Sequence, residues 1–423
     1  MPHKTDMLSE TVAMILAGGE GERLYPLTRD RAKPAVPFGG NYRLIDFTLS
    51  NCLNSGVRRI HVLTQYKSDS LNRHMRLAWN IFNPALGEYI EMNPPQQRLV
   101  SHWYHGTADA IYQNIYTLQR EQPRYVLVLS GDHVYNMDYR PMIQQHVDTQ
   151  ADLTIACIRC PLQMASRLGV MSVDERMHVT AFREKPAAPE LACGSKDHAL
   201  CSMGVYMFTT EALVRRVIED SKEASTHDFG HDVIPRMIAE GDGVFGYAFD
   251  RSNLDQEPYW RDIGTLDAYW EANMDLLSGA PAFDPYDPAW PVRTYVSSGP
   301  PAKIVCSGGK GAVQPVDLCE ALICDGAIVQ GAGVHYAIIG RNVHLEPGSR
   351  IEESVLMDDV RVVRNATISR AIIDKGNHIP EGFSIGTNKE QDRHHFTVSE
   401  GGIVVVPKEM PLFGRKHVLE GRT

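Results

Sequence analysis

Residues 17–36 gather the groups needed to hold a polyphosphate. Gly18, Gly19 and Gly21 strip side chains from a turn that follows the apolar run 12–16, and Arg23 and Lys33 set two fixed cations close behind it. A bare turn lets backbone N–H groups close on an anion, so the pattern points to a bound nucleoside triphosphate. The plain alternative is a tight strand-to-helix turn. No Lys-Ser or Lys-Thr follows the last glycine, which excludes a P-loop, and Leu24 stands where a dinucleotide fingerprint needs its third glycine. Asp132 leaves the apolar run 125–129 through Ser130-Gly131. A carboxylate just past a strand suits Mg²⁺, which takes few carboxylates plus phosphate oxygens; a turn or N-cap aspartate reads equally well from the residues alone. Glu184-Lys185-Pro186, met without context, is an exposed turn.

The string Gly-Gly-x-Gly-x-Arg-Leu (18–24) with Arg-Ala-Lys-Pro-Ala-Val (31–36) resembles the signature of nucleotidyltransferases that act on sugar 1-phosphates. The continuation Phe-Gly-Gly-Asn-Tyr-Arg-Leu-Ile-Asp-Phe (38–47) and Ser-Asn-Cys-Leu-Asn-Ser-Gly (50–56) is similar to that of the bacterial ADP-glucose pyrophosphorylases, or glucose-1-phosphate adenylyltransferases. The resemblance runs over nearly the whole chain. It implies attack by a phosphate oxygen of glucose 1-phosphate on the α-phosphorus of ATP, giving ADP-glucose and pyrophosphate with Mg²⁺ as cofactor. A phosphate monoester has a second pKa of about 6, so the nucleophile is already mostly dianionic at neutral pH and needs no general base. The site must supply in-line placement and cations.

Carried onto this chain, the resemblance implies catalytic roles for Arg23, Lys33 and Asp132, and a metal held by Asp132 and Asp262, with Glu257 competing for the second place. It puts Gly169, Glu184, Lys185, Ser202, Tyr206, Asp228, Phe229 and Trp260 on glucose 1-phosphate. The nucleotide side comprises Leu16, Ala17, Gly18, Gly19, Gly21, Gln65, Gln96, Gln97, Tyr104, Gly106, Thr107 and Asp109. Arg31, Arg43, Arg120 and Lys375 match cationic effector positions, so anionic metabolites are the expected regulators, in a glycogen-forming, allosteric homotetramer. Three residues depart from the family. Glu20 and Glu22 put carboxylates into the phosphate loop, and Asp30 replaces a Lys frequent in relatives activated by fructose 1,6-bisphosphate. Tyr25-Pro-Leu-Thr and Asn41-Tyr-Arg resemble the plant and cyanobacterial branch, whereas Tyr259-Trp-Arg-Asp-Ile-Gly resembles the other bacterial branch. Rival readings are another sugar nucleotidyltransferase using dTTP or UTP, a non-catalytic regulatory subunit, and a β-helix scaffold with a vestigial nucleotide fold.

The elements that must position these groups are legible in outline. Residues 11–278 alternate apolar strands (12–16, 59–64, 125–129, 152–157) with helical stretches such as 108–120, whose Ile111, Ile115 and Leu118 share a face. Such alternation predicts an α/β domain with a Rossmann-like, mixed but mostly parallel sheet, its ligands beyond the carboxyl ends of the strands. Six prolines crowd 279–301, marking a linker over 279–305 with little regular structure, although Trp290 and Tyr295 should pack against something. From about 316 a six-residue period sets in: Leu322, Ile328, Val334; Ile339, Leu345, Ile351, Met357, Val363; Leu356, Val362, Ile368; Ile373, Ile379, Ile385, with Gly326, Gly331, Gly340 and Gly348 at corners. That period predicts a β-helix over 306–423, with a β-sandwich as the plain alternative; the resemblance adds that it is left-handed and serves regulation and oligomerisation.

The 423 residues exceed one core, and 43% hydrophobic with 22% charged residues is ordinary for a globular chain. A net charge of −10 argues against nucleic acid as a partner. No apolar run is long enough to span a membrane, and the first ten residues lack the apolar core of a signal peptide. The eight cysteines lie mostly in apolar runs, which suits a reducing cytoplasm. Cys157-x-x-Cys160 has metal spacing but no second pair at the same spacing, so reduced thiols on or beside a strand are the favoured reading.

Overall fold

The computed structural model describes residues 7–95, 103–250, 258–306 and 315–412. The chain divides into two compact units. The first runs to Gly19 and adds Phe47–Trp260 and Ala289–Val292; the second comprises Glu20–Asp46, Arg261–Pro288 and the chain from Arg293.

The first unit is built on a nine-stranded sheet. Its strands are β1 (Thr11–Ala17), β2 (Arg59–Thr64), β3 (Tyr89–Asn93), β4 (Tyr125–Ser130), β5 (Leu153–Pro161), β6 (Gly169–Val173), β7 (Val179–Glu184), β8 (His198–Thr209) and β9 (Val244–Ala248). The order is β7-β6-β8-β4-β1-β2-β3, with β5 on β8 and β9 on β5. The neighbours β3, β2, β1 and β4 are parallel, and β8 enters antiparallel to β4, β5 and β6. With β9 parallel to β5 and β7 antiparallel to β6, only β7 and β8 run against the other strands, so the sheet is mixed and mostly parallel.

The expected helix over 108–120 is two helices, α1 (Thr107–Gln113) and α2 (Ile115–Glu121). Asn114 between them leaves helical geometry, and its side-chain amide donates to the Ala110 carbonyl at 2.8 Å and to the Tyr104 hydroxyl at 3.0 Å. A side chain that competes for the carbonyl four residues back interrupts the ladder. Ile111, Ile115 and Leu118 still face one core with Met14, Val126 and Val128. Cys157 and Cys160 are buried free thiols on β5, and burial pushes the Cys157 thiol up to about 12.

The second unit carries a parallel β-helix. One face stacks Lys303–Val305, Ile328–Gln330, His344–Leu345, Arg361–Val362 and His378–Ile379. The ladder therefore begins before the period is visible in the sequence. Successive coils pair Asp317 with Gly333, Gly333 with Arg350 and Arg350 with Thr367, so a coil is 16 or 17 residues, not three steps of six. The shortfall shifts the phase of the first coil: Ile328 is 36% exposed and its neighbour Val329 fills the core. Most later members of the period hold, with Val334, Ile339, Leu345, Ile351, Leu356, Val362, Ile368, Ile373, Ile379 and Ile385 all buried, but Val363 is half-buried where its neighbour Val362 fills the core. Among the expected corner glycines, Gly340 is demanded by crowding, since a Cβ there would lie 2.8 Å from the Leu356 carbonyl oxygen of the next coil.

The Pro-rich segment 279–301 has neither helix nor strand. The Trp290 indole donates to Asn51 Oδ1 at 2.8 Å, and Arg341 donates to the Tyr295 carbonyl at 3.1 Å while lying over its ring. Among the described residues, no helix is long and apolar enough to cross a membrane.

Candidate active site

In the first unit, parallel register brings three strand ends to one edge. Leu16 lies between Leu63 and Ser130, Ala17 pairs with Thr64, and the Gly131 N–H donates to the Leu16 carbonyl at 3.0 Å. Gly18-Gly19, Gln65 and Asp132 thus leave the sheet together, at the edge where parallel sheets take ligands. A Cβ on Gly18 would sit 3.1 Å from Gln65 Cβ, whereas Gly19 faces open space. The Gln65 amide is latched to the Tyr104 backbone, accepting from its N–H at 2.6 Å and donating to its carbonyl at 3.4 Å. Asp109 is buried and accepts from the His105 N–H at 2.9 Å and the Gln113 amide at 2.8 Å. Gly106 is fixed by approach: a Cβ would lie 2.2 Å from the His227 carbonyl oxygen. Gln96, Gln97 and Glu257 lie outside the described residues.

Asp132 accepts a short hydrogen bond from the Ser130 hydroxyl, and its side chain is 19% exposed. His133 Nε2 lies 3.7 Å from the same carboxylate oxygen, and its ring meets Trp260 edge-on at 5.2 Å.

The expected sugar-side residues also gather in this unit. Glu184 ends β7 opposite Gly169. Its Oε2 occupies a slot between two glycines: a Cβ would stand 2.8 Å away on Gly169 and 2.5 Å away on Gly230. Lys185 follows with a left-handed backbone (φ 45°), and its ammonium lies 2.7 Å from Glu184 Oε1. Asp228 accepts from the Gly230 and His231 N–H groups at 2.8 and 3.1 Å through one oxygen and from the Thr107 hydroxyl at 3.0 Å through the other. Ser202 and Tyr206 flank a bulge: they pair with Cys157 and Ile155, two residues apart on β5. The bulge aims both hydroxyls to one side, Ser202 Oγ to Tyr206 Oη at 3.4 Å. Burial, with Glu184 and Asp228 adding to it, pushes the Tyr206 phenol above its ordinary range, so it stays a neutral donor. Phe229 packs its ring 5.8 Å from Tyr206. Trp260 is buried, and its indole N–H has no hydrogen-bond partner among the described residues. A buried donor left unpaired is costly, which marks the indole as a group that a ligand oxygen would satisfy.

In the second unit Gly21 (φ 68°) opens the turn 22–24, and the Thr28 hydroxyl donates to its carbonyl at 2.9 Å. Arg23, Lys33 and Asp262 converge on Gly264. A Cβ on that glycine would lie 3.0 Å from Asp262 Oδ2 and 3.5 Å from the Arg23 guanidinium, and Lys33 Nζ stands 3.7 Å from Asp262 Oδ1. Arg23, Glu20 and Glu22 are exposed and Lys33 is buried. Asp30 is exposed and bonded to Arg29.

Three of the four cationic effector candidates share this unit. Arg31 forms a buried pair with Asp374 at 3.0 Å, and Lys375 meets Asp358 at 2.5 Å. Arg43 donates to the Ala35 carbonyl at 2.9 Å. Burial lowers Lys375 and Arg43 from their ordinary ranges; the nearby acids oppose this, and the neighbouring arginines add to it. Arg120 belongs to the first unit, exposed beside Glu121 and Glu91 at 3.2 and 3.6 Å. Sequence reasoning gave no role to Ser130, His133, Gly230 or Gly264. The two glycines were findable, since each follows a singled-out Asp by two residues.

A family model of nucleotidyl transferases matches residues 12–279, and one described as GlmU-like, C-terminal hexapeptide matches 300–406. A glucose-1-phosphate adenylyltransferase 2 of Vibrio cholerae is 48% identical over 406 residues, 95% of this chain and 98% of the relative. A glucose-1-phosphate adenylyltransferase of Koribacter versatilis is 47% identical over 96% of this chain and 97% of the relative. One of Nitrosomonas europaea is 46% identical over 95% and 93%.

Proposed function

The chain belongs to the glucose-1-phosphate adenylyltransferase family of nucleotidyltransferases, and on that footing we propose that it converts ATP and glucose 1-phosphate to ADP-glucose and pyrophosphate. The observation that carries the substrate is the Glu184–Lys185 pair, with the Glu184 carboxylate seated between Gly169 and Gly230. It offers a carboxylate for a sugar hydroxyl and an ammonium for a phosphate, close to the Tyr206 phenol.

In this reading a phosphate oxygen of glucose 1-phosphate forms a bond to the α-phosphorus as the bond to the bridging oxygen of the β-phosphate breaks. Pyrophosphate departs with the electron pair. Lys185 holds the attacking phosphate, and Glu184 and Trp260 hold the sugar. Arg23 and Lys33 stabilise charge on the departing diphosphate; comparable arginine contacts are worth roughly 10³–10⁵ in rate. Backbone N–H groups of 18–21 cradle the phosphates, and the segment around Gln65, Tyr104 and Gly106–Asp109 faces the nucleoside. Asp132 and Asp262 would hold Mg²⁺. Their all-oxygen, partly exposed side chains (19% and 30%) suit a hard cation that keeps several waters. The ion supplies further positive charge on the phosphate oxygens. The exposure of Glu20 and Glu22 supports ordinary ATP binding, since neither is forced toward the phosphates.

The wider reading is a cytoplasmic homotetramer supplying ADP-glucose for α-glucan synthesis. It has a catalytic domain over 1–278, a linker over 279–305, whose last three residues already join the ladder, and a β-helix domain over 306–423. Arg31, Arg43, Arg120 and Lys375 serve anionic effectors. The test is pyrophosphate release with glucose 1-phosphate, Mg²⁺ and each of ATP, UTP and dTTP. Release with ATP foremost supports the proposal. Preference for UTP or dTTP makes the chain another sugar nucleotidyltransferase, and silence with all three makes it a binding subunit. Replacing Arg43 and Lys375 together should abolish any metabolite activation; an unchanged response overturns the effector assignment.

A further inference from the structure

Thr107 sits in the Gly-Thr-Ala-Asp motif read as nucleotide-side, yet its hydroxyl is engaged elsewhere in the first unit. It donates to Asp228 Oδ2 at 3.0 Å and accepts from the Phe229 N–H at 2.9 Å. One residue on, the Ala108 N–H donates to the His227 carbonyl at 2.8 Å. Gly106 permits the approach, because a side chain there would strike the backbone oxygens of both Thr226 and His227. The start of α1 is thereby stitched to the segment 226–230.

That segment is not relaxed by itself. His227 has a left-handed backbone (φ 56°) and is held at Nδ1 by Asp220 at 2.7 Å and Ser225 at 2.9 Å. Asp228 spends its second oxygen on the N–H groups of Gly230 and His231. Gly230 in turn forms one wall of the slot around Glu184 Oε2, and Glu184 holds Lys185. A continuous path of contacts runs from the Thr107 hydroxyl through Asp228 and Gly230 to the Glu184–Lys185 pair. Donating and accepting at once requires a hydroxyl, which Thr and Ser supply and Val does not.

We infer that Thr107 is a positioning residue for the sugar-phosphate pocket: its hydroxyl acts through Asp228 on Glu184 and Lys185, not on the nucleotide. The inference rests on the proposed reaction. Thr107→Val keeps the shape and removes both hydrogen bonds, one of them to a carboxylate. Thr107→Ser keeps both.

The experiment is steady-state pyrophosphate release by wild type, T107V and T107S, varying glucose 1-phosphate and ATP in turn, with thermal melts of each. T107V should raise KM for glucose 1-phosphate about 10-fold and leave KM for ATP within about twofold, as the loss of a hydrogen bond to a charged group on the sugar side alone requires. T107S should restore most of the affinity. Should T107V not fold, Thr107→Ala removes the same two hydrogen bonds and is expected to shift the same KM. The inference is overturned if ATP's KM moves as much as that of glucose 1-phosphate, if T107S is as impaired as T107V, or if T107V and T107A behave as wild type. Absence of turnover in the wild type would instead sink the proposed reaction, so the two failures are told apart.

Discussion

Replacing Gly230 with Ala tests the glycine slot directly. The backbone of Gly230 is outside the left-handed region, so Ala is allowed there. Its Cβ, however, would stand 2.5 Å from Glu184 Oε2 and 3.0 Å from Glu184 Cδ. Restoring ordinary contact near 3.4 Å moves the carboxylate by about 0.9 Å. Hydrogen bonds of this kind span about 2.7–3.2 Å, so a shift of that size breaks one to a bound sugar. A hydrogen bond to a charged group is worth about 1.5–3 kcal/mol, which translates to a loss of roughly 10- to 150-fold in kcat/KM for glucose 1-phosphate. The fold should survive, because the group that must move is the end of a side chain, and Gly→Ala tightens the unfolded chain by about 0.4–1 kcal/mol. Pyrophosphate release with glucose 1-phosphate varied, beside a thermal melt, reads both effects. Activity within threefold of wild type, or a loss that only tracks a falling Tm, would refute the reasoning.

Gly106→Ala should behave differently: its Cβ meets backbone oxygens at 2.2 and 2.5 Å, which no rotamer change relieves, so a denaturant melt should lose about 3 kcal/mol or more. His146 is buried against Thr154 and Thr209, and burial pulls it down to about 4. The unfolded chain, with His near 6.5, binds a proton that the fold refuses. This contribution is therefore complete above about pH 6.5 and is lost as pH falls toward 4, by up to about 3 kcal/mol. Urea midpoints at pH 7.5 and 5 should separate in wild type and draw together in His146→Gln; equal separations overturn this. Asp374→Asn leaves Arg31 buried without its counter-charge and should cost about 3–5 kcal/mol by denaturant melt. A cost below about 1 kcal/mol would mean that the pair does not hold the charge.

What was legible in the sequence was local. Apolar runs between turn residues marked β1, β2 and β4 within a residue at each end, because burial on both faces leaves a continuous apolar signature. The six-residue period announced a β-helix. The helix break at Asn114 escaped notice, since the periodicity of Ile111, Ile115 and Leu118 runs on through it while a side-chain amide takes the backbone's acceptor. The phase slip that exposes Ile328 escaped as well, because residues dropped at a corner leave no mark on composition.

Tertiary structure alone decided the pairings that span the chain. Arg31, read as an effector cation, pairs with Asp374, which lies 343 residues away. Thr107, in a nucleotide motif, bonds to Asp228, which lies 121 residues away. Gly230 is set against Glu184 by the folding of two separate segments. Composition and periodicity are short-range properties, fixed by each residue's own preferences and those of its near neighbours. Which charge meets which counter-charge, and which oxygen blocks which Cβ, depends on strand order and register, and those exist only once the chain has closed on itself.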